Sequence, residues 1–216
     1  MKRYLYTIFY IIFFFNSALT EIIINPIQEG NPDAKIKLIV YESLTCSYCA
    51  DFHKKVYPDL KKEFIDKGIV KIEFRNFPLD MAALNGSKIA HCKNDGKSNI
   101  LHFLFENQNM WAKGETIEEL NLNLEKIVNN QNTWLKGETI DELNLNLEKI
   151  VDKENFGINV KKCLNNKKIE DHVLEDRINA VKKFKINSTP TIIINDKKFE
   201  KPLNYKNLKK SIEKLI

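Results

Sequence analysis

Two cysteines three positions apart, Cys46-Ser47-Tyr48-Cys49, come directly after the apolar run Ile36-Lys37-Leu38-Ile39-Val40-Tyr41. The run is β-branched and aromatic with few polar breaks, so it reads as a short buried strand ending near Ser43. The residues after Cys49 read as helix. A thiol at such a strand-to-helix turn meets unpaired backbone N–H groups and the positive end of the helix dipole. Both favour thiolate, the reactive form of cysteine.

The elements around this turn order themselves. A helix is expected to about Lys67, with Phe52, Val56, Leu60 and Phe64 on one face, a kink at Pro58 and a stop at Gly68. Ile69 to Phe77 then alternates apolar and charged side chains, which predicts a second strand. Strand, helix and strand at this spacing make a right-handed parallel βαβ unit. Upstream, Glu21 to Asn25 reads as a short first strand and Pro26 to Pro32 as a polar loop. From Asp80 to about Phe184 the pattern is helical. β structure returns at Thr191–Asn195, with a turn at Asp196-Lys197 and a return strand Lys198-Phe199-Glu200. A last helix, Tyr205–Ile216, places Leu208, Ile212 and Leu215 on one face.

A 23-residue segment occurs twice in tandem, Asn107–Asn129 and Asn130–Asp152. The copies differ only at Met110/Thr133, Ala112/Leu135, Glu118/Asp141 and Asn129/Asp152. Each opens a helix with a capping box, Thr116 with Glu119 and Thr139 with Glu142. Two copies are too few for a solenoid. One copy is therefore expected to be an ordinary helix of the helical region, and the other an extra element on its edge. Trp111 and Trp134 read as packing anchors.

The N-terminus has the pattern of a secretory signal peptide: Lys2 and Arg3, an apolar stretch from Tyr4 to Phe15, and small residues to Thr20. The apolar stretch is short of the ~20 residues a spanning helix needs. The net charge of the 216-residue chain is only +5, and two of those charges lie in this segment. There is no basic stripe interleaved with aromatics, so no nucleic-acid partner is expected.

The residues leave three readings of the cysteine pair open: a dithiol–disulfide redox centre, half of a zinc site, or a structural disulfide. Zinc needs about four ligands. The remaining candidates, His53, His91, Cys92, His102, Cys163 and His172, offer no second short-spaced pair beyond the adjacent His91-Cys92. A structural disulfide across two residues closes almost no loop and so adds little stability. Redox chemistry is the favoured reading, with no metal and no cofactor required. Downstream, Thr189-Pro190 opens an apolar strand, where a proline is tolerated because it owes no ladder hydrogen bond. Local sequence alone favours an ordinary trans bond there.

The order of elements, with YESLTCSYCADFH (Tyr41–His53) and NSTPTIIINDKKFE (Asn187–Glu200), resembles the DsbA-like protein-disulfide oxidoreductases of the thioredoxin superfamily. The resemblance implies a thioredoxin fold, a central mixed sheet flanked by helices, with an inserted α-helical domain that here carries the duplication. It divides the chain into a signal peptide (1–20), a first thioredoxin-fold part (21–79), the helical insertion (80–184) and a second part (185–216). It makes Cys46 the exposed nucleophile, Cys49 the buried resolving thiol, Pro190 a cis-proline and Thr189 its substrate-facing neighbour. Tyr48 is a second candidate for touching a peptide substrate.

The activity so implied is the introduction of disulfides into cysteine-containing exported proteins in the periplasm. A membrane quinone-linked protein would reoxidise the pair, and the chain would act as a monomer. The strongest oxidants of the family carry Pro-His between the cysteines. Ser47-Tyr48 lacks a positive charge beside Cys46, so a milder oxidant is expected. Some relatives also carry cysteines near Cys92 and Cys163, which are expected to pair as a structural disulfide rather than remain two buried thiols. His53, on the active-site helix, either tunes the thiolate or simply occupies its face. The rivals are a reductase or isomerase of lower potential, and a non-catalytic peptide- or metal-binding domain.

Overall fold

A five-stranded mixed sheet forms the centre of the protein, in the order β1-β3-β2-β4-β5. The structure, a computed structural model, describes residues 23–112 and 140–216. The expected signal segment and the first copy's capping box and helix lie outside the described residues. The strands are β1 (Ile27–Glu29), β2 (Ile36–Glu42), β3 (Val70–Asn76), β4 (Thr191–Ile194) and β5 (Lys197–Lys198). β2 and β3 run parallel, Ile36 opposite Val70 and Glu42 opposite Asn76. β1 joins β3, and β4 joins β2, antiparallel. This is the expected thioredoxin sheet.

β2 is buried on both faces, which explains its nearly unbroken apolar run. Leu38 and Val40 point into the larger core with Phe52, Leu60, Ile72, Leu208 and Ile212. Ile39 and Tyr41 point the other way, against Ala180 and Ile186. Leu215, expected on the buried face of the last helix, is half-exposed. That helix ends at Glu213, before Leu215 can turn inward.

The first strand corrects the expectation from local pattern. It lies at Ile27–Glu29, inside the segment expected as loop, while residues 23–25 are not strand. Pairing with β3 overrides a weak local preference: three residues suffice when the neighbour is a full strand. The hairpin shifts by one residue too. Asn195 and Asp196 take positive φ, 45° and 63°, forming the two-residue turn whose twist suits a hairpin.

The crossover from β2 to β3 is α1 (Ser47–Lys55), then α2 (Tyr57–Leu60), then a π-wound turn over Lys61–Ile65. The break falls at Val56, just ahead of Pro58, as a proline early in a new helix requires. Gly68, at φ 70°, ends the crossover in a conformation that costs glycine little.

Between β3 and β4 stand α3 (Met81–Ala90), α4 (Asn99–Glu106), α5 (Gln108–Trp111), α6 (Ile140–Lys153), α7 (Val160–Leu164) and α8 (Lys167–Phe184). After β5 comes α9 (Tyr205–Glu213). This region draws on both repeat copies. α5 and the buried Trp111 belong to the first copy; α6, with Leu147, Ile150 and Val151 buried, belongs to the second. Trp111 donates through Nε1 to the Leu104 carbonyl at 2.9 Å, an anchoring role. Trp134 lies outside the described residues.

Candidate active site

The turn that ends β2 is held from two sides before the first cysteine. Asp80 caps α3 by accepting from the Ala83 N–H at 2.7 Å, and its other oxygen accepts from the Thr45 hydroxyl at 2.7 Å. Ser43 Oγ accepts from the Leu79 N–H at 3.2 Å. From the helical side, Gln108 Nε2 donates to the carbonyls of Leu44 and Cys46, at 2.8 and 3.0 Å. Sequence reasoning missed Gln108: a buried glutamine at the edge of a repeat gives no sign that it reaches a loop 62 residues away.

Cys46 sits at the N-cap of α1 in extended conformation, and Cys49 lies one turn into that helix. Both are free thiols. Cys46 is half-buried, whereas Cys49 is 0% exposed. The environment pushes the two sulfurs in opposite directions. A hydrogen bond from Cys49 lowers the Cys46 pKa to about 6, against an opposing push from burial. The Thr189 hydroxyl, buried and otherwise without a partner among the described residues, and the backbone N–H groups of Cys49 and Tyr48 add to the lowering. Burial drives Cys49 strongly upward, with the bond to Cys46 and the negative charge of Glu42 adding to it.

Pro190 comes after Thr189 through a cis peptide bond. Cys46 Sγ donates to the Thr189 carbonyl at 3.4 Å, across 143 residues of chain. Cys46, Cys49, Thr189 and Pro190 thus stand together. Tyr48 projects beside them, 74% exposed. Cys92 and Cys163 are elsewhere, bonded to each other with Cα atoms 5.4 Å apart.

His53 does more than occupy its helix face. It is buried, its Nε2 2.8 Å from Glu42 Oε2 and its Nδ1 2.9 Å from His102 Nδ1. Sequence spacing placed it near the cysteine face of α1. The pairing with Glu42 is tertiary and leaves no local trace.

A mixed sheet, a dithiol at a helix start and a cis-prolyl peptide against the outer sulfur together define a thioredoxin-fold protein of the DsbA-like kind. The chain belongs to the Thioredoxin family, whose sequence model matches residues 24–214. It resembles Wolbachia pipientis alpha-DsbA1, with a TM-score of 0.69 and 28% identity, covering 91% of this chain and 94% of that one. It is 29% identical to a probable disulfide bond formation protein D of Bacillus anthracis, over 86% of this chain and 76% of that protein. A putative protein-disulfide oxidoreductase of Rickettsia bellii is 33% identical over 44% of this chain, a stretch that spans only 38% of the relative's own length.

Proposed function

We propose that the protein is an exported thiol–disulfide oxidoreductase that introduces disulfides into other exported proteins through Cys46 and Cys49. The observation that carries this reading is the unequal pair under the cis-prolyl peptide. Cys46 is reachable and held near pKa 6, while Cys49 is sealed and kept protonated. A substrate thiolate attacks Cys46 Sγ, and the bond to Cys49 breaks. A second substrate thiolate then displaces Cys46, which leaves readily because its thiolate is stabilised. Thr189 and Pro190 offer backbone to an extended peptide beside the sulfur, and exposed Tyr48 offers an apolar contact. The named relatives, a DsbA and a disulfide bond formation protein, support the same reading.

Export rests on the basic and apolar pattern of residues 1–20. No helix of the described residues is long and apolar enough to cross a membrane. Reoxidation by a quinone-linked membrane protein, and action as a monomer, complete the proposal. Equilibration of the full-length protein with glutathione buffers tests it. A Cys46–Cys49 potential well above the thioredoxin value of about −270 mV is expected, and Cys46→Ala should abolish thiol oxidation. A potential at or below that value marks a reductase, and undiminished oxidation by Cys46→Ala overturns the assignment.

A further inference from the structure

A line of four ionisable side chains, beginning at the Glu42 whose charge acts on Cys49, crosses from the sealed interior toward the surface. Glu42 and His53 are almost fully buried, with side chains 4% and 5% exposed. His53 Nδ1 meets His102 Nδ1 at 2.9 Å, and His102 Nε2 meets Glu29 Oε1 at 2.8 Å. Glu29 also accepts from Tyr57, Ser98 and Lys61. Lys61 is 40% exposed and pairs outward with Asp66. Aromatic rings sheathe the line: Phe105 stacks on His53 and Tyr57 on His102, at centroid distances of 4.0 and 4.4 Å. Both histidines border a cleft of about 840 Å³ that runs along α1 past Ser47 and Lys54 to Lys61.

Hydrogen-bond parity decides where protons can stand. Burial works against charge on Glu29, but its bonds from His102, Ser98, Tyr57 and Lys61 outweigh it and keep the group ionised. Each of the three contacts in the line then needs one hydrogen: Glu42 to His53, His53 to His102, and His102 to Glu29. Two neutral imidazoles and two carboxylates supply only two. Every contact is made only when the line holds one further proton. That proton can stand on Glu42, on His53 or on His102, with all three contacts intact in each case. This degeneracy is what a proton conduit requires. Glu42 also keeps its other oxygen, Oε1, buried without a hydrogen bond from any described residue, and its charge acts on Cys49. A carboxyl group can take a proton on one oxygen and give it from the other.

We propose that His53 and His102, the latter held by the Glu29 carboxylate, form a relay that carries a proton between bulk water and Glu42, serving the buried Cys49 sulfur. This rests on the redox reading of Cys46 and Cys49. When substrate thiolate bonds to Cys46, the Cys46–Cys49 bond breaks and its electron pair goes to Cys49. Cys49 takes the proton of Glu42, and the line refills through His102 from the cleft. The second substrate thiolate then expels Cys46 as thiolate. Overall, two substrate thiols become a disulfide, and the protein disulfide gains two electrons, ending as a Cys46 thiolate and a Cys49 thiol. One proton is released to water. In the reverse direction, Cys49 loses its proton along the same line before it attacks.

The test is stopped-flow reaction of the reduced full-length protein with oxidised glutathione. It separates bimolecular attack by Cys46 from the intramolecular attack by Cys49, which shows as a plateau rate. His102→Phe cuts the line while leaving Glu29 its Tyr57, Ser98 and Lys61 partners. The plateau should fall by about 100-fold near neutral pH, the low end for lost general acid–base assistance, with the first step within about twofold. A fall of less than about threefold overturns the relay. Should that variant not fold, the unaltered protein decides in heavy water: a plateau rate slowed with a multi-proton dependence supports the relay, and one unchanged overturns it. An unaltered protein that forms no mixed disulfide at all counts against the redox reading instead.

Discussion

The two cysteine pairs of this chain share a chemistry and differ in what surrounds them. Cys46 and Cys49 are three residues apart at the start of a helix, one sulfur half-open and the other sealed. Cys92 and Cys163 are 71 residues apart and tie the end of α3 to α7. Cys92 lies just past the C-terminus of α3, where exposed carbonyls oppose a thiolate. Cys46 lies where N–H groups support one. The first pair is arranged so that one sulfur attacks and leaves easily. In the second, Cys92 is likewise part-buried and Cys163 buried, but the more open sulfur follows a helix C-terminus, and a bond there serves to constrain the chain. Reactivity is thus set by position relative to helix ends, and not by burial alone or by the presence of a disulfide.

The most severe way to break the comparison is to remove one sulfur from the active pair. Offered a disulfide-bonded substrate, Cys49→Ala should still form mixed disulfides through Cys46 by exchange but not resolve them, trapping covalent complexes visible on non-reducing gels. Free turnover in that variant would mean that Cys49 is not the resolving thiol.

The double change Cys92→Ala/Cys163→Ala should do the opposite. Stability should fall by about 4 kcal/mol, the entropic value for a loop of this length, while the Cys46–Cys49 potential stays put. Denaturant unfolding and glutathione titration read the two quantities separately. A shifted potential with little loss of stability would erase the distinction between the pairs.

The finest test uses pH. The Cys46 pKa is lowered to about 6 from an ordinary 9.0. A depressed acid stabilises the folded state above its unfolded pKa, and loses that contribution as pH falls through the folded value. Relative to Cys46→Ser, the reduced protein should therefore gain stability as pH rises from about 6 to about 9, where Cys46 of the unfolded chain ionises as well and the gain levels off. Denaturant midpoints at several pH values measure the difference. A flat difference would mean that Cys46 is not held as thiolate.

Much of the redox turn was legible in the order of residues alone. The β-branched run, the cysteine spacing and the Thr-Pro strand entry are local patterns, and local patterns survive in sequence. Gln108 and the line from Glu42 to Glu29 were not legible. Their partners come from separate elements, and a buried glutamine or histidine looks the same whether it packs or bonds. The duplication was plain as a repeat. That α5 comes from one copy and α6 from the other was not, because near-identical copies carry the same helical signal.

By itself, the chain's pattern of apolar runs, turns and caps determined the strand–helix–strand frame and put a thiol at a helix start, since those depend on neighbours within a few residues. Only the folded structure decided that Ile27–Glu29 is a strand and that the Thr189 carbonyl sits 3.4 Å from Cys46. It also decided that Glu42 and His53 bond to each other in the interior. Each of these needs segments far apart in the chain to be packed together, and the free energy of that packing belongs to no single segment.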